Sequence, residues 1–116
     1  MTCALYVLLA LPGAADVWTP PAEWLDRTMM LESSGNPAAL GDYRNGQPRS
    51  RGPYQIQRRP WEAFGGRKPW ATWAHDPAES RRVAGRILAA CKRHVERHGQ
   101  HVTFARARAV YRRGGY

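Results

Sequence analysis

The stretch LESSGNPAALGDYRNGQPRSRGPYQIQ, residues 31–57, decides how this chain is read. A carboxylate, Glu32, closes an apolar segment and is followed by a long run of turn formers ending in GPYQI at residues 52–56. Turn-rich connections of that length are uncommon inside a small domain unless they line a site. Within the run, Asn45-Gly46 is the strongest short hairpin signal, because both residues accept the positive φ that a two-residue turn demands. A small β-hairpin or ribbon is therefore predicted between Gly41 and Ile56, and no larger sheet.

Helices are predicted on both sides of it. Before it, Thr19 with Pro20 and Pro21 reads as a helix start, since a first-turn proline gives up no internal hydrogen bond. Trp24, Leu25, Thr28, Met29 and Leu31 make an apolar stripe near helical spacing, with Gly35 as the left-handed stop. Glu32 then falls in the helix's last turn. After the hairpin, RRPWEAFGG reads as a short helix starting at Pro60 and stopping at Gly65-Gly66, followed by an aromatic connector holding Trp70 and Trp73. The clearest helix spans residues 77–98. Asp76 caps it, Pro77 takes the first turn, and Val83, Ile87, Cys91 and Val95 recur every fourth residue. A last helix runs from Thr103 to about Arg112, with Phe104, Ala107, Val110 and Tyr111 facing inward and RRGGY after it.

The 116 residues allow one domain, and 43% hydrophobic with 23% charged residues is ordinary for a globular chain, which excludes wholesale disorder. Eighteen Lys and Arg against nine Asp and Glu give +9. That balance points to a polyanionic partner or surface, whether nucleic acid, anionic membrane or acidic cell-wall polymer, and charge alone does not choose among them. Only Lys68 and Lys92 of these cations are lysine; the arginine excess fits carboxylate or phosphate recognition and equally fits GC-rich codon usage. Residues 1–15, MTCALYVLLALPGAA, carry no charged side chain and hold an apolar run the length of a signal-peptide core, too short to span a bilayer. They read as a signal peptide, with a buried N-terminal element as the alternative, leaving 16–116 as the domain. Once they are removed Cys91 stands alone, and the mature fold has no internal disulfide.

A carboxylate in a helix's last turn faces the negative end of the helix dipole, and cover by Trp and Met side chains would add desolvation. Both raise its pKa, as a general acid requires. Spacing alone fits a solvated helix-end Glu as well. The ordered set ESSGNPAA, then GD, then GPYQI, then Trp61 resembles the lysozyme-like superfamily, in particular the invertebrate-type (destabilase) lysozymes and the soluble lytic transglycosylases. The resemblance covers roughly residues 20–115. It implies a mainly α (α+β) lysozyme-like domain with a small β-hairpin inserted after the catalytic helix.

It also implies cleavage of the MurNAc-β-1,4-GlcNAc bond of peptidoglycan, with Glu32 as catalytic acid. Asp42 would be the nucleophile or ion-pair stabiliser if the invertebrate-type pattern holds, and a plain turn residue if Glu32 acts alone as in the transglycosylases. Gln55, Tyr54 and Tyr111 are the candidate sugar contacts, the tyrosines being equally suited to the core. The related families carry an Asn before their C-terminal glycine, where VYRRGGY has Arg112 or Arg113, and a guanidinium lacks the acceptor of an amide.

No cofactor or metal is expected. His94, His98 and His101 invite a metal reading, but HVERH lacks the acid at the place that zinc-protease motifs require. Peptidoglycan strands are the expected partner, with no specific nucleic acid and no transmembrane anchor, and a secreted or periplasmic location follows. The rival reading is a basic binding module on a catalytically weakened scaffold. Oligomeric state is not legible.

Overall fold

The computed structural model describes residues 18–116, so the segment read as a signal peptide lies outside the described residues. Five helices and three two-residue strands form a mixed α+β fold: α1 (Ala22–Ser33), β1 (Leu40–Gly41), β2 (Ser50–Arg51), β3 (Ile56–Gln57), α2 (Arg58–Ala63), α3 (Trp70–Trp73), α4 (Pro77–Arg97) and α5 (Phe104–Arg113). The sheet is antiparallel in the order β1-β2-β3, with Leu40 opposite Arg51 and Ser50 opposite Gln57.

α4 is the axis of the core because its apolar residues keep one face over more than three turns, from Val83 to Val95. Val83, Ala84, Ile87, Leu88, Cys91 and Val95 are all essentially buried. The predicted cap is present: the Asp76 carboxylate accepts from the Glu79 backbone N–H at 2.8 Å. The Glu79 side chain, which in a capping box would reach back to the Asp76 N–H, turns instead to Arg82 at 2.8 Å. α5 packs along α4 through Ala107, Val110 and Tyr111, with its first turn capped by the Thr103 hydroxyl. Leu25 of α1 joins the same core.

The Asn45-Gly46 turn is as predicted. Both residues have positive φ, 53° and 75°, and Arg44 and Gln47 exchange two backbone hydrogen bonds across it at 2.9 and 3.0 Å. Three boundaries differ from the sequence reading. The left-handed stop of α1 begins at Ser34 (φ 56°), one residue before Gly35. α2 starts at Arg58 rather than Pro60, which leaves the proline within the first turn where it loses no internal bond. Part of the aromatic connector is helical, α3, starting just after Pro69 and held by the Trp70 indole, whose Nε1 donates to the Ile56 carbonyl at 2.8 Å. No helix of the described residues is long and apolar enough to cross a membrane.

Candidate functional site

The end of α1 is tied to the GPYQ turn before any site is formed. The Ser33 hydroxyl donates to the Pro53 carbonyl at 2.8 Å, spanning twenty residues of sequence. The intervening loop is pinned from the other side by His75: its Nδ1–H donates to the Pro37 carbonyl at 2.8 Å, which leaves Nε2 to accept from Arg51 at 3.4 Å. Gly52 makes the turn possible. Its φ is +82°, and a side chain there would overlap the Ala74 carbonyl oxygen.

The turn then sends neighbouring side chains in different directions. Tyr54 goes into the core, 1% exposed, where its hydroxyl accepts from Arg81 at 2.9 Å and Arg81 in turn pairs with Asp26 at 2.8 Å. The candidate sugar contact at Tyr54 is thus a packing residue that does not line the cleft. Gln55, at φ +50°, sends its amide back to the loop, donating to the Gly52 and Ala39 carbonyls at 2.9 and 3.2 Å. Gly41 lies against that amide so closely that a β-carbon would collide with its oxygen.

Between the end of α1, the sheet and the C-terminal half of α5 lies a cleft of about 290 Å³. It brings together four of the five sequence-predicted site residues, Glu32, Asp42, Gln55 and Tyr111, together with Arg112 and Arg113. Asp42 is exposed at the start of the hairpin, in left-handed conformation (φ 52°), and its carboxylate accepts from the buried Ser50 hydroxyl. Tyr111 is 8% exposed, and its hydroxyl donates to the Tyr54 carbonyl at 2.7 Å, fixing α5 to the turn.

Glu32 is the most enclosed acid here, its side chain 3% exposed. Met29 of the predicted stripe is half-buried against the core, while Met30 is 55% exposed and gives no cover. Two guanidiniums from α5 face Glu32, Arg108 at 3.1 Å and Arg112 at 3.5 Å. Burial raises the Glu32 pKa above its ordinary value, Arg108 and then Arg112 pull it down, and the charge of Asp42 adds a smaller upward push. Burial prevails and the net direction is up, as the sequence reading required, though burial is the main cause. Burial also pushes the Tyr111 phenol well above its ordinary range, so it remains a neutral hydroxyl.

Arg108 is the residue that the sequence reading missed. It is one arginine among several in FARARAVYRR, and its partner lies 76 residues away. The available signal was its place on the helix: four residues after Phe104 and one after Ala107, it borders the apolar stripe of α5. Arg112, one of the two arginines standing where the related families carry Asn, meets Glu32 one turn further on. His94 and His98 stack at 4.3 Å between ring centroids at the C-terminal end of α4, and neither lines this cleft.

Neither protein-family models, nor curated proteins, nor solved structures give a match to this chain.

Proposed function

We propose that the chain is a lysozyme-like glycoside hydrolase that cleaves the MurNAc-β-1,4-GlcNAc bond of peptidoglycan outside the cytoplasmic membrane. The observation that carries this reading is Glu32: a carboxylate 3% exposed, its pKa raised by burial, on a cleft that also holds Asp42. An acid so placed keeps its proton to higher pH than an exposed one and can deliver it to a glycosidic oxygen. Substrate in the cleft excludes further water and strengthens the same effect. Asp42, exposed and oriented by Ser50, is on hand to stabilise the oxocarbenium-like centre or to direct water. The substrate identity rests on the resemblance of ESSGNPAA, GD and GPYQI to the lysozyme-like families.

Two observations favour other readings. Arg108 and Arg112 both oppose protonation of Glu32, which favours a catalytically weakened basic binding module. Asp42 stands in a turn with its carboxylate already engaged by Ser50, which favours the transglycosylase route with Glu32 alone.

One experiment separates the three. Purified peptidoglycan is digested with wild type, Glu32→Gln and Asp42→Asn, and the soluble muropeptides are analysed by mass spectrometry. The hydrolase reading expects reducing MurNAc ends, loss of about 100-fold or more in Glu32→Gln, and a large loss in Asp42→Asn. Anhydro-MurNAc ends with Asp42→Asn fully active transfer the assignment to a lytic transglycosylase. No release by wild type, or unchanged release by Glu32→Gln, refutes both enzymatic readings.

A further inference from the structure

Beside the Glu32 cleft lies a second groove of about 460 Å³, walled by Arg44, Arg49, Arg58 and Arg59 and floored by Trp70. We propose that it is a carboxylate-binding site for the peptide stems of the strand being cleaved, which rests on reading the Glu32 cleft as a glycan-cleaving site.

The first argument is charge. No acid lines the groove, and among the described residues Arg44, Arg49 and Arg59 make no ion pair. Arg58 reaches Glu62 only at 3.7 Å, with both side chains more than 60% exposed, a pair of little strength. Like charges gathered on one wall repel one another, and these four exposed or edge positions gain no core packing in return. An anion offsets the repulsion. The fork of a guanidinium matches a carboxylate with two parallel hydrogen bonds, so a wall of arginines suits repeated carboxylates better than neutral sugar hydroxyls.

The second argument is rigidity. Trp70 is anchored by its indole N–H to the Ile56 carbonyl at 2.8 Å, and its ring is flanked by the guanidiniums of Arg51 and Arg58 at 5.0 and 5.8 Å from the centroid. The ring thus orients cations instead of offering a bare face to a pyranose. On the opposite side the two-residue turn holds Arg44 in register with Gln47, so the arginines stand on fixed backbone.

Continuity selects the occupant. Gln57 and Arg59 line both the arginine groove and the Glu32 cleft. A strand seated at Glu32 therefore runs directly past the arginines, and the anions it carries at that point are the carboxylates of its own side branches. Tethered to the strand, each carboxylate meets its arginine at high effective concentration, so weak individual contacts add up.

The test is co-sedimentation of the full chain, carrying Glu32→Gln to keep the wall intact, with purified peptidoglycan. A second sample of the same wall has its carboxylates blocked by carbodiimide coupling to glycinamide. Arg44→Gln/Arg49→Gln, both at exposed hairpin positions, is compared with its parent, and circular dichroism checks that both are folded. The expected result is about tenfold weaker binding of the groove variant to native wall. No difference is expected on blocked wall, and the tenfold gap should close as salt rises from about 50 to about 200 mM. Equal binding of variant and parent to native wall, or an equal loss on both walls, overturns the proposal. So does a short DNA duplex bound more tightly than native wall through the same arginines. The two readings fail separately: carboxylate-dependent binding without Glu32-dependent cleavage removes the enzyme and keeps the groove, and the reverse pattern removes only the groove.

Discussion

Replacing Arg108 by Gln takes the nearer of two cations from a carboxylate that is 3% exposed. At the observed 3.1 Å, Coulomb's law gives about 1 kcal/mol in a water-like dielectric and about 5 kcal/mol at an effective constant of about 20. The Glu32 end lies toward the second limit, the Arg108 end is 22% exposed, and Arg112 remains as a partial substitute. The expected loss is therefore about 2–3 kcal/mol at neutral pH, short of the ~3–5 kcal/mol for breaking a fully buried pair. For a domain of this size that lowers Tm by about 10–20 °C.

The pH dependence identifies the cause. Arg108 pulls the Glu32 pKa down against burial, so its removal moves that pKa further up. The lost stability exists only while Glu32 is ionised and vanishes as falling pH protonates it. Even in wild type the folded pKa lies above the ordinary 4.5. Glu32 thus contributes stability that is fully present below 4.5 and lost as pH rises through the folded value. Glu32→Gln, neutral throughout, escapes that loss and should melt above wild type at neutral pH. In its background Arg108→Gln should cost less than ~1 kcal/mol. Urea unfolding of the four proteins, followed by tryptophan fluorescence at neutral and acidic pH, measures each term. An Arg108→Gln loss of equal size at both pH values, or equal with and without Glu32, refutes the reasoning.

Two further outcomes are expected. Gly52→Ala and Gly46→Ala both force alanine into positive φ, but only the first meets a backbone carbonyl while the second faces open space. Gly46→Ala should lose about 1–2 kcal/mol and Gly52→Ala more than ~3 kcal/mol; equal urea midpoints would show that the close approach to Ala74 is not decisive. The Cys91 thiol is buried at 0% exposure and pushed up to about 12, so an aromatic disulfide reagent at neutral pH should label it only at the rate of unfolding. Rapid labelling of the native chain would refute that burial.

What the sequence disclosed is what local chemistry enforces. Asp76-Pro77 and the four-residue spacing from Val83 to Val95 prescribe α4 whatever lies around it, and Asn45-Gly46 prescribes its own turn. Glu32 was legible for the same reason, since its place at a helix end follows from the apolar stripe before it. The misplacements arise where direction is set by tertiary contacts. Tyr54 and Gln55 are adjacent and both polar-tipped, yet one enters the core toward Arg81 and the other turns back to the Ala39 and Gly52 carbonyls; the positive φ at Gln55 separates them. The short α3 is anchored by an indole hydrogen bond across the fold, which no local pattern announces. Arg108 depends on a partner 76 residues distant. A stripe of arginines says that cations border the helix, and only the docking of α1 says which one finds a carboxylate.

The two guanidiniums at Glu32 follow from the way α5 satisfies its core. Phe104, Ala107, Val110 and Tyr111 fill the buried stripe, so positions 108 and 112, one turn apart, fall together on the edge that faces the end of α1. A carboxylate enclosed there without cations would be neutral and inert to its surroundings; one paired with cations in the open would be firmly ionised. Here burial and ion pairing oppose each other at the same atoms, with burial ahead. The Arg108 Nε adds a buried donor with no partner among the described residues, so the pairing is not fully satisfied. The pKa of Glu32 is therefore set by a difference between opposing effects, and whatever fills the cleft acts on that difference: displaced water raises it, and a nearer guanidinium lowers it. A carboxyl pKa that responds to the contents of the cleft is the property the proposed general acid requires, and the opposing effects come from a helix edge and a helix end that each fold for reasons of their own.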